Sequence, residues 1–99
     1  MRVELLYFEG CPSWKTVDER MTEALRTVGR DYVMVVRRLV ETPEEAEYLG
    51  FIGSPTIRIN GTDPFAAGDE RVGLACRVYE NPAGRTGSPT TGQLVRALS

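Results

Sequence analysis

The chain has 99 residues, 41% hydrophobic and 26% charged. That is the composition of one globular domain burying roughly two-thirds of its unfolded surface, which excludes a second domain, a disordered chain and a disulfide-dense scaffold. Twelve basic against fourteen acidic residues give a net charge of −2, so neither a basic nucleic-acid footprint nor an acidic tail is expected. Histidine is absent. The Ser/His, Cys/His and His-ligated metal mechanisms fall with it, leaving Cys, carboxylates and Tyr for chemistry. The arginines are scattered from Arg2 to Arg96 and read as a solvated surface.

Val3 to Phe8 is an apolar run broken only by Glu4, the pattern of a central strand covered on both faces. It lacks the apolar core and small-residue cleavage site of a signal peptide, and no later run approaches the ~18 residues of a membrane span. The expectation is a cytoplasmic protein with no membrane partner, no nucleic acid and no cofactor. After Glu9-Gly10, Cys11 falls at the cap of a helix with Pro12 as its first residue. Trp14, Val17, Met21, Ala24, Leu25 and Val28 then mark one face of that helix, which ends near Gly29. Tyr32 to Val40 is Val-rich and predicts a second strand.

Thr42 and Glu45 have capping-box spacing around Pro43, so a short helix runs to Leu49 and stops at Gly50. Thr56 to Asn60 alternates and predicts a third strand, turned by Asn60-Gly61. Val72 to Tyr79 predicts the fourth. After a loop holding Asn81-Pro82, Gly84 and Gly87, Ser88 and Pro89 predict the cap and first residue of a last helix carrying Leu94, Val95 and Leu98. Right-handed crossovers make the first two strands parallel, and strands three and four are read as antiparallel neighbours. A ferredoxin-like metal-chaperone fold is disfavoured, because a helix stands between strands two and three and the chain ends on a helix.

Two residues stand out for chemistry. Cys11 sits where unpaired helix N–H groups and the positive end of the dipole favour thiolate, an arrangement that lowers cysteine pKa values to roughly 3.5 to 7.5 in favourable cases. The plain alternative is a buried small hydrophobe. Cys76 alternates with Leu74 and Val78 and reads as a core-facing residue of the fourth strand. Trp14 either closes the core at the start of its helix or walls a groove beside Cys11. Ser13 either caps the helix or bonds a sulfur.

The element order, with Gly10-Cys11-Pro12-Ser13-Trp14 at the first strand-to-helix turn and Ser54-Pro55-Thr56 opening the third strand, resembles the thioredoxin-like superfamily, glutaredoxins included. The resemblance implies an α/β fold in which a four-stranded mixed sheet is flanked by three helices. It implies Cys11 as the reactive cysteine and Pro55 as a cis-proline facing it. Pro12, Ser13, Trp14, Ser54 and Thr56 would line the substrate site, with the Ser54 backbone open to an extended substrate. Where dithiol members carry a second cysteine, this chain has Trp14. The glutathione-binding glycine and acid pair of glutaredoxins follows the fourth strand, whereas Gly68-Asp69-Glu70 precedes it. Leu49 to Tyr79 also resembles small thioredoxin-like proteins grouped near bacterial mercury-resistance functions.

On that resemblance the fourth strand ends on the Cys11 side of the sheet, making Cys76 a candidate resolving thiol. A bridge needs Cα atoms within about 7 Å, and the three residues from Cys76 to Tyr79 span about 10 Å, so the expectation is that Cys76 falls short. Release of a Cys11 adduct then depends on external thiol. The leading function is a monothiol disulfide oxidoreductase using Cys11 on a disulfide or small-thiol substrate, with a protein redox partner. A soft-metal or thiol-adduct binding protein using Cys11 and Cys76 is the second reading, and a redox-inactive scaffold the third.

Overall fold

The computed structural model describes residues 1–99. Its core strand is β1 (Val3–Tyr7), flanked by β2 (Val35–Leu39) and β3 (Thr56–Ile59) in the order β2-β1-β3. β1 runs parallel to β2 with Val3 opposite Val35, and antiparallel to β3 with Val3 opposite Ile59. The apolar run at the N-terminus earns this central place because both of its faces are covered. Val3, Leu5 and Ile57 pack under helices α1 (Ser13–Thr27) and α3 (Thr91–Leu98), through Val17, Met21, Ala24, Leu25, Leu94 and Leu98. Leu6 packs on the other face with Val40, Phe51 and Ala46 of α2 (Pro43–Leu49).

Local chemistry sets most of the boundaries. Gly29 takes φ +75° after α1, and the Arg30 N–H reaches back to the Leu25 carbonyl at 2.7 Å. Thr42 caps α2 by accepting the Glu45 N–H at 3.1 Å, with Pro43 first in the helix. Three boundaries differ from expectation. α1 starts at Ser13 with Pro12 as its cap, so Cys11 lies one residue before the cap. β2 starts at Val35, because Tyr32 and Met34 are 76% and 83% exposed in the preceding turn and have nothing to pack on. α3 is capped by Thr90, whose hydroxyl accepts the Gln93 N–H at 3.1 Å while the Gln93 side chain accepts the Thr90 N–H at 2.9 Å. That reciprocal box outcompetes Ser88-Pro89, where the Ser88 hydroxyl and the Pro89 carbonyl both accept from Arg20.

The expected four-stranded sheet does not form. The molecule has three helices, but its strands divide into the three-stranded sheet and a two-stranded hairpin of β4 (Tyr79–Asn81) and β5 (Gly84–Thr86). Residues 72–78 do not pair alongside β3. They lie against the segment before it: the Gly73 N–H donates to the Phe51 carbonyl, and Ser54 and Cys76 make a single parallel bridge. Strands three and four are therefore not antiparallel neighbours. Pro55 has no N–H with which to carry the ladder forward, and Gly73 weakens the run as a strand. The stretch expected as a loop around Asn81-Pro82 is instead the hairpin turn, where the Asn81 side chain accepts the Ala83 N–H at 2.8 Å.

Candidate functional site

Cys11 lies four residues beyond the end of β1, in a turn where its N–H donates to the Phe8 carbonyl at 3.3 Å, and it is 2% exposed. It is disulfide-bonded to Cys76, 65 residues away in sequence, with the two Cα atoms 5.7 Å apart. The expectation that Cys76 falls short is thus overturned. Its premise was a regular strand running three further residues toward the sheet end; Cys76 instead leaves that geometry and sits beside Ser54, next to the turn that carries Cys11.

Ser54 joins the two halves of the bridge. Its N–H donates to the Ala75 carbonyl at 2.8 Å and its carbonyl accepts the Arg77 N–H at 2.9 Å, so the residues on either side of Cys76 are both held. Its hydroxyl accepts the Phe8 N–H at 3.2 Å, which fixes the strand end leading to Cys11. Ser54 is 1% exposed, so none of these groups has water as an alternative partner. The backbone that the resemblance leaves open to a substrate is occupied by the chain's own residues 75–77.

The turn around Ser54 is built for close approach. The Ser54-Pro55 bond is cis, as the resemblance implies. Gly53 has φ +121°, and a Cβ there would meet the Arg77 Cβ and the Ala75 carbonyl oxygen at 3.1 and 3.2 Å. The Thr56 hydroxyl donates to the Gly53 carbonyl at 2.6 Å within the interior. Tyr79 donates its phenol proton to the Pro55 carbonyl, and burial pushes that phenol well above the ordinary tyrosine range.

Residues 76–79 have the opposite facing from the one expected. Cys76 and Val78 are exposed, whereas Arg77 and Tyr79 are buried. The reason is electrostatic. The Arg77 guanidinium makes a two-point ion pair with Asp63, closest at 2.6 Å, and lies 4.5 Å from the centre of the Tyr79 ring. Phe65 meets the same ring edge-on at 5.5 Å. Once its charge is paired, Arg77 serves as an interior residue, and apolar alternation no longer identifies the inward face. Asp63, Arg77 and Tyr79 were not singled out from the sequence. Their only trace there is the arginine in a Val-rich run and an aspartate fourteen residues before it.

Among the other expected site residues, Pro12 is exposed and Ser13 half-buried. Trp14 is half-buried, stacked on Tyr7 at 4.2 Å between ring centres and packed on the α1–α3 core, which places it at the core's end. Glu70 is engaged by its own loop. Its carboxylate accepts the Ala67 and Gly68 N–H groups, and the Ala67 bond first among these holds it below the usual carboxylate range. A surface cleft of about 560 Å³ borders Val78, two residues from Cys76, with Phe65, Glu70 and Arg85 on its other sides. No group of three or more Cys, Asp or Glu side chains is gathered to hold a metal ion, and no helix is long and apolar enough to cross a membrane.

No family model, curated protein or solved structure matches the chain.

Proposed function

We propose that this chain is a small thiol–disulfide oxidoreductase that cycles between the Cys11–Cys76 disulfide and the corresponding dithiol, related to the thioredoxin-like proteins it resembles. The observation that supports this most is the placement of Cys76. It sits in an otherwise irregular segment anchored on both sides at Ser54, facing a cysteine two residues before the start of a 15-residue helix. Such anchoring keeps the second sulfur at high effective concentration after the first has reacted, so an adduct on one cysteine is released by the other. The pair thereby supplies what Trp14 withholds, and the single-thiol scheme is replaced by an intramolecular one. The substrate is a disulfide or dithiol, protein or small molecule, approaching beside the cleft at Val78.

Cytoplasmic residence belongs to the same proposal. In a reducing compartment the resting form is the dithiol, and substrate disulfides oxidise it.

The test is turnover of a protein disulfide such as that of insulin, with a small-thiol reductant in excess. The wild type accelerates the reaction over the reductant alone, and Cys11→Ser and Cys76→Ser each abolish the acceleration. Wild-type rates equal to the background refute the reading. Stoichiometric uptake of a soft cation by the reduced protein, with no turnover, favours a sequestering protein instead, since two neighbouring thiolates suit such an ion.

A further inference from the structure

We infer that the sulfur attacked from outside is Cys76 and that Cys11 is the leaving group. This rests on the thiol–disulfide reading above and assigns the roles within it, reversing the part that the sequence reading gave to Cys11. Three independent features point the same way.

The first is access. Displacement at a disulfide sulfur takes place in line, with the entering thiolate, the attacked sulfur and the departing sulfur on one axis. Cys11 is 2% exposed, whereas Cys76 is exposed and flanked by exposed Ala75 and Val78. The approach to Cys76 therefore comes from solvent, and the approach to Cys11 comes through the fold.

The second is the fate of the departing sulfur. Cys11 lies two residues before the start of α1, a helix with no acidic residue in its first turn and no side-chain cap on its N–H groups. Those unpaired N–H groups and the dipole favour a thiolate at Cys11, and exchange is faster when the leaving thiolate is stabilised. Cys76 has no such helix before or after it.

The third is what holds Cys76 when the bond opens. The Ser54 hydrogen bonds to Ala75 and Arg77 and the Arg77–Asp63 ion pair are independent of the disulfide. Cys76 therefore stays presented at the surface, within reach of Cys11, after reduction.

In the oxidising direction the substrate is a dithiol. One substrate thiol loses its proton to solvent, and its thiolate bonds to the Cys76 Sγ as the Cys11–Cys76 bond breaks, with the electron pair leaving on the Cys11 Sγ. The second substrate thiolate attacks the substrate's own sulfur in this mixed disulfide, and the pair leaves on the Cys76 Sγ. The substrate is oxidised to a disulfide by two electrons, the protein bridge is reduced by two electrons, and two protons pass through solvent to the cysteines. In the opposite direction the Cys76 thiolate attacks a substrate disulfide and Cys11 resolves the adduct.

The experiment exposes the oxidised wild-type protein briefly to mercaptoethanol with iodoacetamide present, followed by acid quenching and peptide mapping. The expected product carries mercaptoethanol on Cys76 and carbamidomethyl on Cys11, at least tenfold over the reverse pattern. The reverse pattern, or an even mixture, overturns the assignment. As a second measurement, Cys11→Ser and Cys76→Ser are each reacted with an aromatic disulfide reagent. The single Cys76 thiol of Cys11→Ser should react at least tenfold faster than the Cys11 thiol of Cys76→Ser, and equal or inverted rates also overturn it. Both readouts are stoichiometric, so they report which sulfur is attacked even if insulin turnover fails and the oxidoreductase reading falls.

Discussion

Reducing the Cys11–Cys76 bridge should lower stability by about 4 kcal/mol. The bridge closes a loop with a sequence separation of 65. In the chain-entropy treatment, a loop of that length removes on the order of 15 cal/mol/K from the unfolded ensemble, which is about 4 kcal/mol at 25 °C. A domain of this size unfolds with an entropy of roughly 0.2 kcal/mol/K near its midpoint, so Tm should fall by about 20 °C. The folded state should persist, because the Ser54 backbone bonds and the Tyr79 phenol still tie residues 75–79 to the turn at Pro55, and the Arg77–Asp63 pair ties them to the segment after β3. The assay is thermal unfolding by circular dichroism of oxidised wild type, wild type reduced with excess dithiothreitol, and Cys76→Ser. The reduced protein and Cys76→Ser should melt together, cooperatively, well below the oxidised form. A drop under about 5 °C would refute the view that the bridge constrains the unfolded chain. Loss of all cooperative unfolding on reduction would refute the view that Ser54 and Arg77 hold the segment by themselves.

Other outcomes follow from the same contacts. Asp63→Asn leaves the buried Arg77 guanidinium without its counter-charge and should cost about 3 to 5 kcal/mol by urea unfolding, so an unchanged midpoint would remove the ion pair from the account. Ser54→Ala leaves the Phe8 N–H without its acceptor and should cost about 1 to 3 kcal/mol in the same assay. Gly53→Ala places a side chain at φ +121° against Arg77 and Ala75, and should slow bridge formation from the reduced protein, measured by alkylation and mass spectrometry. Because the Tyr79 phenol is raised when folded, its contribution is full below the unfolded value of about 10 and is lost as pH rises above it. Alkaline unfolding should therefore begin above about pH 10, with the Tyr79 phenolate appearing at 295 nm only as the fold opens, and Tyr79→Phe should remove that part of the absorbance change.

Local signals alone determined much of this protein. The apolar run at Val3, the helical spacing from Val17 to Leu25 and the Thr42-Pro43 start need only near neighbours, and each forms the element it predicts. The parallel pairing of β1 with β2 follows from the helix between them, which carries the chain back to the starting edge of the sheet. The Cys11 turn and the cis bond before Pro55 were legible as a motif through resemblance.

Only the tertiary structure decided what happens to residues 72–79. Apolar alternation predicted a strand with Cys76 facing inward, but the inward face is set by a charge pair between residues fourteen apart and by Ser54, twenty-two residues before Cys76. A one-residue change in facing exchanges every buried side chain for an exposed one. Over residues 76–79 that exchange buries Arg77 and Tyr79 and leaves Cys76 and Val78 exposed. No local pattern records it, because a buried arginine is acceptable only when its distant carboxylate is already in place.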